Sequence, residues 1–207
     1  MTIAVATAET LSPLERLKQR KARVLAMRER VRSQFQAGVP GVQIATAYCL
    51  AIEEFLAEIR EEALSTLPRP ELRSQIEANS LLIAVGGTGR GELCPYSDVD
   101  ICLIDGGGAS QAFRQIASTF LQFGWDSGLQ LGHSVRTLRE ALALARQDPE
   151  VATSLVEARL LWGSPELFAR LERQFRQQVV SRRKHAFLHD CLAARLDGGP
   201  QAQELEP

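Results

Sequence analysis

The sequence predicts an α+β fold: a small mixed β-sheet with helices packed around it and a helical hairpin ahead of it. Three observations carry that expectation. Two apolar runs of strand length, Leu81–Val85 and Val99–Ile104, are separated by a glycine-rich turn. A third, at about Leu129–Arg136, follows a stretch whose apolar residues recur at helical spacing. Two long segments with helical periodicity and terminal signals precede the first strand, so helices and strands are segregated along the chain.

The elements follow in order. Ser12-Pro13-Leu14-Glu15 joins a capping serine, a first-turn proline and a glutamate three residues on, so a helix starts there and runs to about Gln36. It is strongly basic, with Arg16, Lys18, Arg20, Lys21, Arg23, Arg28, Arg30 and Arg32 against Glu15 and Glu29. That reads either as a solvated face or as a patch for an acidic partner or nucleotide. Gly38-Val39-Pro40-Gly41 breaks the helix, and a second runs from about Val42 to Ser65. Its stripe of Ile44, Tyr48, Ile52, Phe55, Leu56 and Ile59 faces a core, with Glu53, Glu54, Glu58, Glu61 and Glu62 largely elsewhere. A short helix reaches Asn79. Strands one and two follow, then a helix from about Ser110 to Phe123, then strand three. Thr137-Leu138-Arg139-Glu140 repeats the capping pattern and opens a helix to about Gln147. Asp148-Pro149-Glu150 opens another, stopped by Gly163, and Ser164-Pro165-Glu166 opens the last, running to about Leu196. The tail from Asp197 has little to bury and is expected to be mobile.

Composition narrows the function classes. The chain has 207 residues, 45% hydrophobic and 24% charged, with a formal charge of −1 and a pI of about 6.3. One core with an appendage is expected, and no global basic field exists to hold nucleic acid. Cys49, Cys94, Cys102 and Cys191 are far apart and form no Cys-x-x-Cys pair, which fits a reducing cytoplasm. The amino-terminal residues lack a basic stretch and a long apolar run, and no apolar run reaches the roughly 18 residues of a membrane span.

The chemistry is concentrated between Ile83 and Ile104. Gly86 and Gly87 end the first strand, where missing side chains let backbone approach phosphate oxygens. Asp98 and Asp100, spaced one apart at the start of the second strand, share a face while Val99 and Ile101 point to the core. Two carboxylates of that kind suit Mg²⁺, or Mn²⁺, which one or two carboxylates hold together with substrate phosphates and water. Arg90 reads either as a fork for β- or γ-phosphate oxygens or as a partner of Glu92 or an aspartate. Ser97 is a hydroxyl donor beside the pair. Cys94 and Cys102 flank the motif and read as small core fillers.

A glycine pair, ten residues (88–97) and Asp-x-Asp in an apolar strand resemble the nucleotidyltransferase superfamily of the DNA polymerase β type. Gly89-Arg90-Gly91-Glu92-Leu93-Cys94-Pro95-Tyr96-Ser97 is similar, more narrowly, to the amino-terminal nucleotidyltransferase domain of bacterial PII uridylyltransferase/uridylyl-removing enzymes. Two further blocks resemble that family, Trp125–Thr137 and Leu155–Ser164. The resemblance implies a polymerase β-type sheet. It also implies Asp98 and Asp100 as catalytic metal ligands, Gly86, Gly87, Arg90 and Ser97 at the nucleotide, UTP as donor, a tyrosine of the PII nitrogen-signalling protein as acceptor, and pyrophosphate as leaving group. His133, in the second block, is a substrate contact or a packed histidine, and Arg136 faces the nucleotide or solvent. Asp126 either reaches the site or ends a helix. Many superfamily members carry a third carboxylate on the next strand, and Leu129–Val135 offers none. Thr88 stands where the resembled family usually has an aromatic residue.

On this basis residues 1–70 form a helical extension, 71–147 the nucleotidyltransferase core, 148–196 carboxy-terminal helices and 197–207 a tail, the whole reading as a piece of a longer enzyme. His185 and His189, four apart, lack a third ligand in register and read as part of a basic face beside Arg182, Arg183 and Lys184. Two other functions stay open: transfer to a small molecule or another protein by the same metal motif, and nucleotide binding without turnover.

Overall fold

The structure, a computed structural model, describes residues 11–107, 110–181, 188–189 and 192. The amino terminus, the mobile-tail expectation, Cys191, His185 and the basic residues 182–184 lie outside the described residues, as does part of the expected course of the last helix to Leu196.

Helix α1 (Pro13–Gln36) starts with the expected capping box, in which Ser12 and Glu15 satisfy each other's backbone N–H groups. It turns at Gly38 and packs antiparallel on α2 (Gly41–Leu64). Part of its basic character is used within the hairpin. Arg20 forms an ion pair with Glu62 at 2.6 Å and lies over the Phe123 ring at 4.3 Å, while Arg23 reaches Glu58 at 3.4 Å. Helix α3 (Pro70–Asn79) leads into β1 (Ser80–Ala84), all of whose residues are buried. Then come α4 (Gly86–Gly89), β2 (Val99–Asp105), α5 (Ser110–Asp126), β3 (Leu131–Thr137), α6 (Leu138–Ala145), α7 (Pro149–Val156), β4 (Arg159–Gly163) and α8 (Pro165–Phe175), which widens into a π-helical turn at Arg176–Ser181.

Among the described residues the strands form one mixed sheet in the order β3-β2-β1-β4. β1 pairs antiparallel with β2 and β4, and β2 pairs parallel with β3. The faces divide the core. Leu82, Val99, Ile101 and Leu103 meet α1, α2, α3 and α5, whereas Leu81, Ile83, Cys102 and Ile104 meet α6, α7 and α8. α2 therefore packs directly into one of the two layers that cover the sheet.

One expectation needs correction. The helix expected from Asp148 to Gly163 ends at Val156, and Arg159–Gly163 is a strand. β1 is buried along its whole length, and a helix in place of β4 would leave one edge of its backbone without hydrogen-bond partners. The glycine turn takes the form of a short helix, with Gly89 N–H donating to Val85 O at 2.9 Å and Arg90 N–H to Gly86 O at 3.1 Å.

Candidate active site

β2 places Asp100 at the end of the sheet where β1 gives way to α4, with Val85 N–H donating to Asp100 O at 3.1 Å. Asp98 is exposed and immediately precedes the strand. Strand alternation puts both carboxylates on the face shared by Cys102 and Ile104. Asp100 lies between two glycines. Its Oδ2 is 3.2 Å from where a Cβ on Gly86 would stand, and its Oδ1 occupies the space a Cβ on Gly132 would need. The same Cβ would lie 3.8 Å from the Asp98 Cβ, so the two aspartates converge over Gly132. Gly86 has φ +55°, a conformation that other residues adopt only at a cost. Burial, and after it the charge of Asp98, push the Asp100 carboxyl above its ordinary range. Among the described residues neither aspartate forms an ion pair, so two like charges converge uncompensated by any neighbouring side chain there. That donor set fits a hard divalent cation whose remaining positions are filled by phosphate oxygens and water. No cluster of three or more histidine, cysteine or acidic side chains suited to a metal occurs among the described residues.

The glycine turn is held from behind by Thr88, which the sequence marks only as a departure from the resembled pattern, and by Arg159 and Glu53, to which the sequence assigns no role at the site. Thr88 is fully buried, and its hydroxyl accepts the Asp100 N–H at 3.0 Å. Arg159, the first residue of β4, donates to Thr88 O at 3.0 Å and Gly89 O at 3.1 Å, and its fork meets Glu53 of α2 at 2.9 and 2.5 Å. Burial acts to raise the Glu53 carboxyl, but hydrogen bonds from Arg159 and Cys49 outweigh it and hold the group below its usual value. The Cys49 thiol, beside Glu53, is pushed up to about 12 by burial and by that carboxylate. Glu53 and Arg159 are 106 positions apart, and Glu53 falls in an acidic run that reads as a solvated face. No local spacing signals the pair.

The remaining expected residues are distributed as follows. Arg90 is half-exposed and pairs with Glu157 at 2.6 Å and Glu92 at 3.5 Å. Gly87 follows Gly86 in the same turn, where a Cβ would meet Glu92 O at 3.2 Å. Ser97 is exposed in the loop before Asp98, its N–H donating to Cys94 O at 3.1 Å. Arg136 shares the face of Gly132 and Ser134 and lines the cleft with Asp100. His133 alternates to the opposite face, and its ring meets Trp125 edge-on at 5.1 Å. Asp126 is exposed at the end of α5, Cys94 is exposed, and Cys102 is buried under the cleft.

The cleft has a volume of about 490 Å³, within the range of small-molecule sites. Its near wall is Gly86, Asp100, Gly132 and Arg136; its far wall is α7, with Glu150 and Ser154, which the sequence did not mark.

No protein-family model matches the chain. It is similar to curated proteins named bifunctional uridylyltransferase/uridylyl-removing enzyme, which bears out the resemblance carried by the three sequence blocks. The relative from Azospirillum brasilense is 31% identical over 87% of this chain and 20% of its own length. That from Thiobacillus denitrificans is 44% identical over 61% of this chain and 15% of its own, and that from Photobacterium profundum is 48% identical over 44% and 10%. The chain thus spans a fifth or less of the length of these relatives. The helices and mixed sheet are consistent with a nucleotidyltransferase-type fold.

Proposed function

We propose that this chain is a metal-dependent nucleotidyltransferase unit that moves a uridylyl group from UTP to a tyrosine hydroxyl of a PII-type signalling protein, releasing pyrophosphate. The observation that carries the reading is the convergence of Asp98 and Asp100 over Gly132, on the wall of a cleft of nucleotide size. The relatives' printed names supply uridylyl transfer; the donor and the acceptor come from the family resemblance.

Asp98 and Asp100 would hold Mg²⁺, which when bound neutralises charge developing on the triphosphate. The rest is done by the chain. Gly86 and Gly87 keep the rim beside Asp100 free of side chains, so phosphate oxygens can approach closely. Arg90 contributes a fork for phosphate once it is drawn from Glu157, and half-exposure leaves it free to swing. Ser97, exposed in the loop before Asp98, adds a hydroxyl donor. Arg136 is the only arginine or lysine among the described residues lining the cleft and offsets the substrate's negative charge. Asp98 is the more exposed of the two carboxylates.

The reading is tested by calorimetric titration of UTP, ATP, CTP and GTP with Mg²⁺, with the Asp98→Asn, Asp100→Asn double variant alongside. UTP is expected to bind preferentially and the double variant to lose metal-dependent binding while staying folded. Label from radioactive UTP should then appear on added PII protein and not on an aminoglycoside. Binding that survives in the double variant overturns the two-carboxylate site, and label on another acceptor overturns the PII assignment.

A further inference from the structure

We infer that Thr88 is a positioning residue for the carboxylate pair, and that Arg159 and Glu53 hold it in place from the helical hairpin. The inference rests on the reading of Asp98 and Asp100 as the metal-binding groups.

The argument begins with the hydrogen-bond requirement of Asp100. Its carbonyl is paired across the strand end with Val85 N–H. In a regular antiparallel pair its own N–H would return to Val85 O. That oxygen is already engaged by Gly89 N–H at 2.9 Å, because the chain has turned into α4. The Thr88 hydroxyl takes the vacant role, accepting the Asp100 N–H at 3.0 Å in a fully buried position where water cannot substitute. The backbone bearing Asp100 is thus fixed by a side chain of the glycine turn rather than by the sheet.

Thr88 must itself be held. Arg159 grips the carbonyls of Thr88 and Gly89 with Nη2 and Nε, while Nη1 and Nη2 reach the Glu53 carboxylate. One planar guanidinium therefore joins α2, β4 and the turn in a single arrangement that lysine, a point charge, cannot reproduce. A connected path runs from Glu53 through Arg159 and Thr88 to Asp100. Outer-shell partners of metal ligands commonly change metal affinity by about 10–100-fold when removed.

The experiment is a titration of Mn²⁺ in the presence of UTP, followed by electron paramagnetic resonance, on the 207-residue chain. The variants are Thr88→Val, Thr88→Ser, Arg159→Lys, the Thr88→Val, Arg159→Lys pair, and Asp98→Asn, Asp100→Asn. Thr88→Val and Arg159→Lys are each expected to weaken Mn²⁺ binding about tenfold. Thr88→Ser, which keeps the hydroxyl, should stay close to wild type, a rescue that a role in packing alone would not give. The double variant should be little worse than the weaker single one, since both act on the same path. Wild-type affinity in Thr88→Val, or a Thr88→Ser as weak as Thr88→Val, overturns the inference. Should Thr88→Val fail to fold, Arg159→Lys decides, and unchanged Mn²⁺ binding there overturns it equally. Wild-type protein whose Mn²⁺ binding does not depend on Asp98 and Asp100 overturns the reading underneath, and that outcome is told apart by the aspartate variant.

Discussion

At the scale of single residues, Gly132 separates what the fold needs from what the site needs. A Cβ there would collide with the Asp100 carboxylate, the rotatable end of a side chain rather than backbone. Gly132 has no positive φ, so an alanine is not strained in itself. Gly132→Ala is therefore expected to change stability by no more than about 1 kcal/mol, because the carboxylate swings aside. The displaced carboxylate no longer converges with Asp98, so Mg²⁺-dependent UTP binding should fall at least tenfold. Urea denaturation and calorimetry on the same variant check the two halves, and a variant that binds normally would show that Asp100 need not occupy that space. The aspartates and Gly86 were legible because strand alternation and a glycine turn are local patterns. Gly132 was present in the second block, but its reason was not, since only the parallel register of β2 and β3 sets it beside Asp100. Thr88 was seen as a departure from a resembled pattern, and its hydroxyl acquires meaning only once Asp100 N–H is found opposite it. The half-exposed Arg90 shows the limit from the other side: the sequence leaves phosphate and carboxylate partners open, and the fold pairs it with Glu157, a residue 67 positions away.

At the scale of elements, the Glu53–Arg159 pair decides how firmly α2 and β4 are joined. Glu53 is mostly buried and its carboxyl is held below the ordinary glutamate value despite the burial that opposes this. A group whose folded-state value is depressed contributes stability that is fully present above its unfolded value, near pH 4.3, and lost as pH falls through the folded value. Glu53→Gln should accordingly cost about 1–2 kcal/mol near neutral pH, the figure for a charged hydrogen bond reduced for the exposure of Arg159. The difference from wild type should shrink as the pH drops below the ordinary glutamate range, and urea midpoints measured from pH 7 to pH 3 will check it. A gap that stays constant across that range would mean the carboxylate's charge is not what joins the elements. Helix starts were the most legible elements, because Ser12 with Glu15 and Thr137 with Glu140 carry their own capping chemistry, and both boxes form. β4 was not legible. Leu160, Leu161 and Trp162 suit a helix as well as a strand by composition, and what makes them a strand is the open edge of β1, more than seventy residues earlier.

For the whole molecule, the question is whether the hairpin is an appendage or part of the unit that carries the site. Phe55, Ile52 and Ile59 of α2 are buried in one cluster with Val99 and Ile101 of β2 and Phe120 of α5. Arg60 lies over the Trp162 ring at 5.4 Å, and Arg28 of α1 donates to Gly128 O at 2.9 Å. The apolar layer under Asp100 is thus completed by helices that sequence reading set apart as residues 1–70. A separately folding hairpin would melt by itself, releasing much of the helical signal but only the Trp162 share of the tryptophan signal, ahead of the rest of the molecule. The shared core requires the opposite, a single transition in which far-UV circular dichroism and tryptophan fluorescence coincide along the urea axis. Phe55→Ala is expected to move both probes together and to cost about 3–5 kcal/mol, because nothing in a fully packed layer can close over the lost ring. If the two probes separate, the hairpin is an independent element, and its melting alone would release Arg159 from Glu53 while the sheet stays folded. If they coincide, the metal-site strand and α2 are one cooperative body, and a substitution in the hairpin that never touches nucleotide will still lower the population of molecules able to bind it.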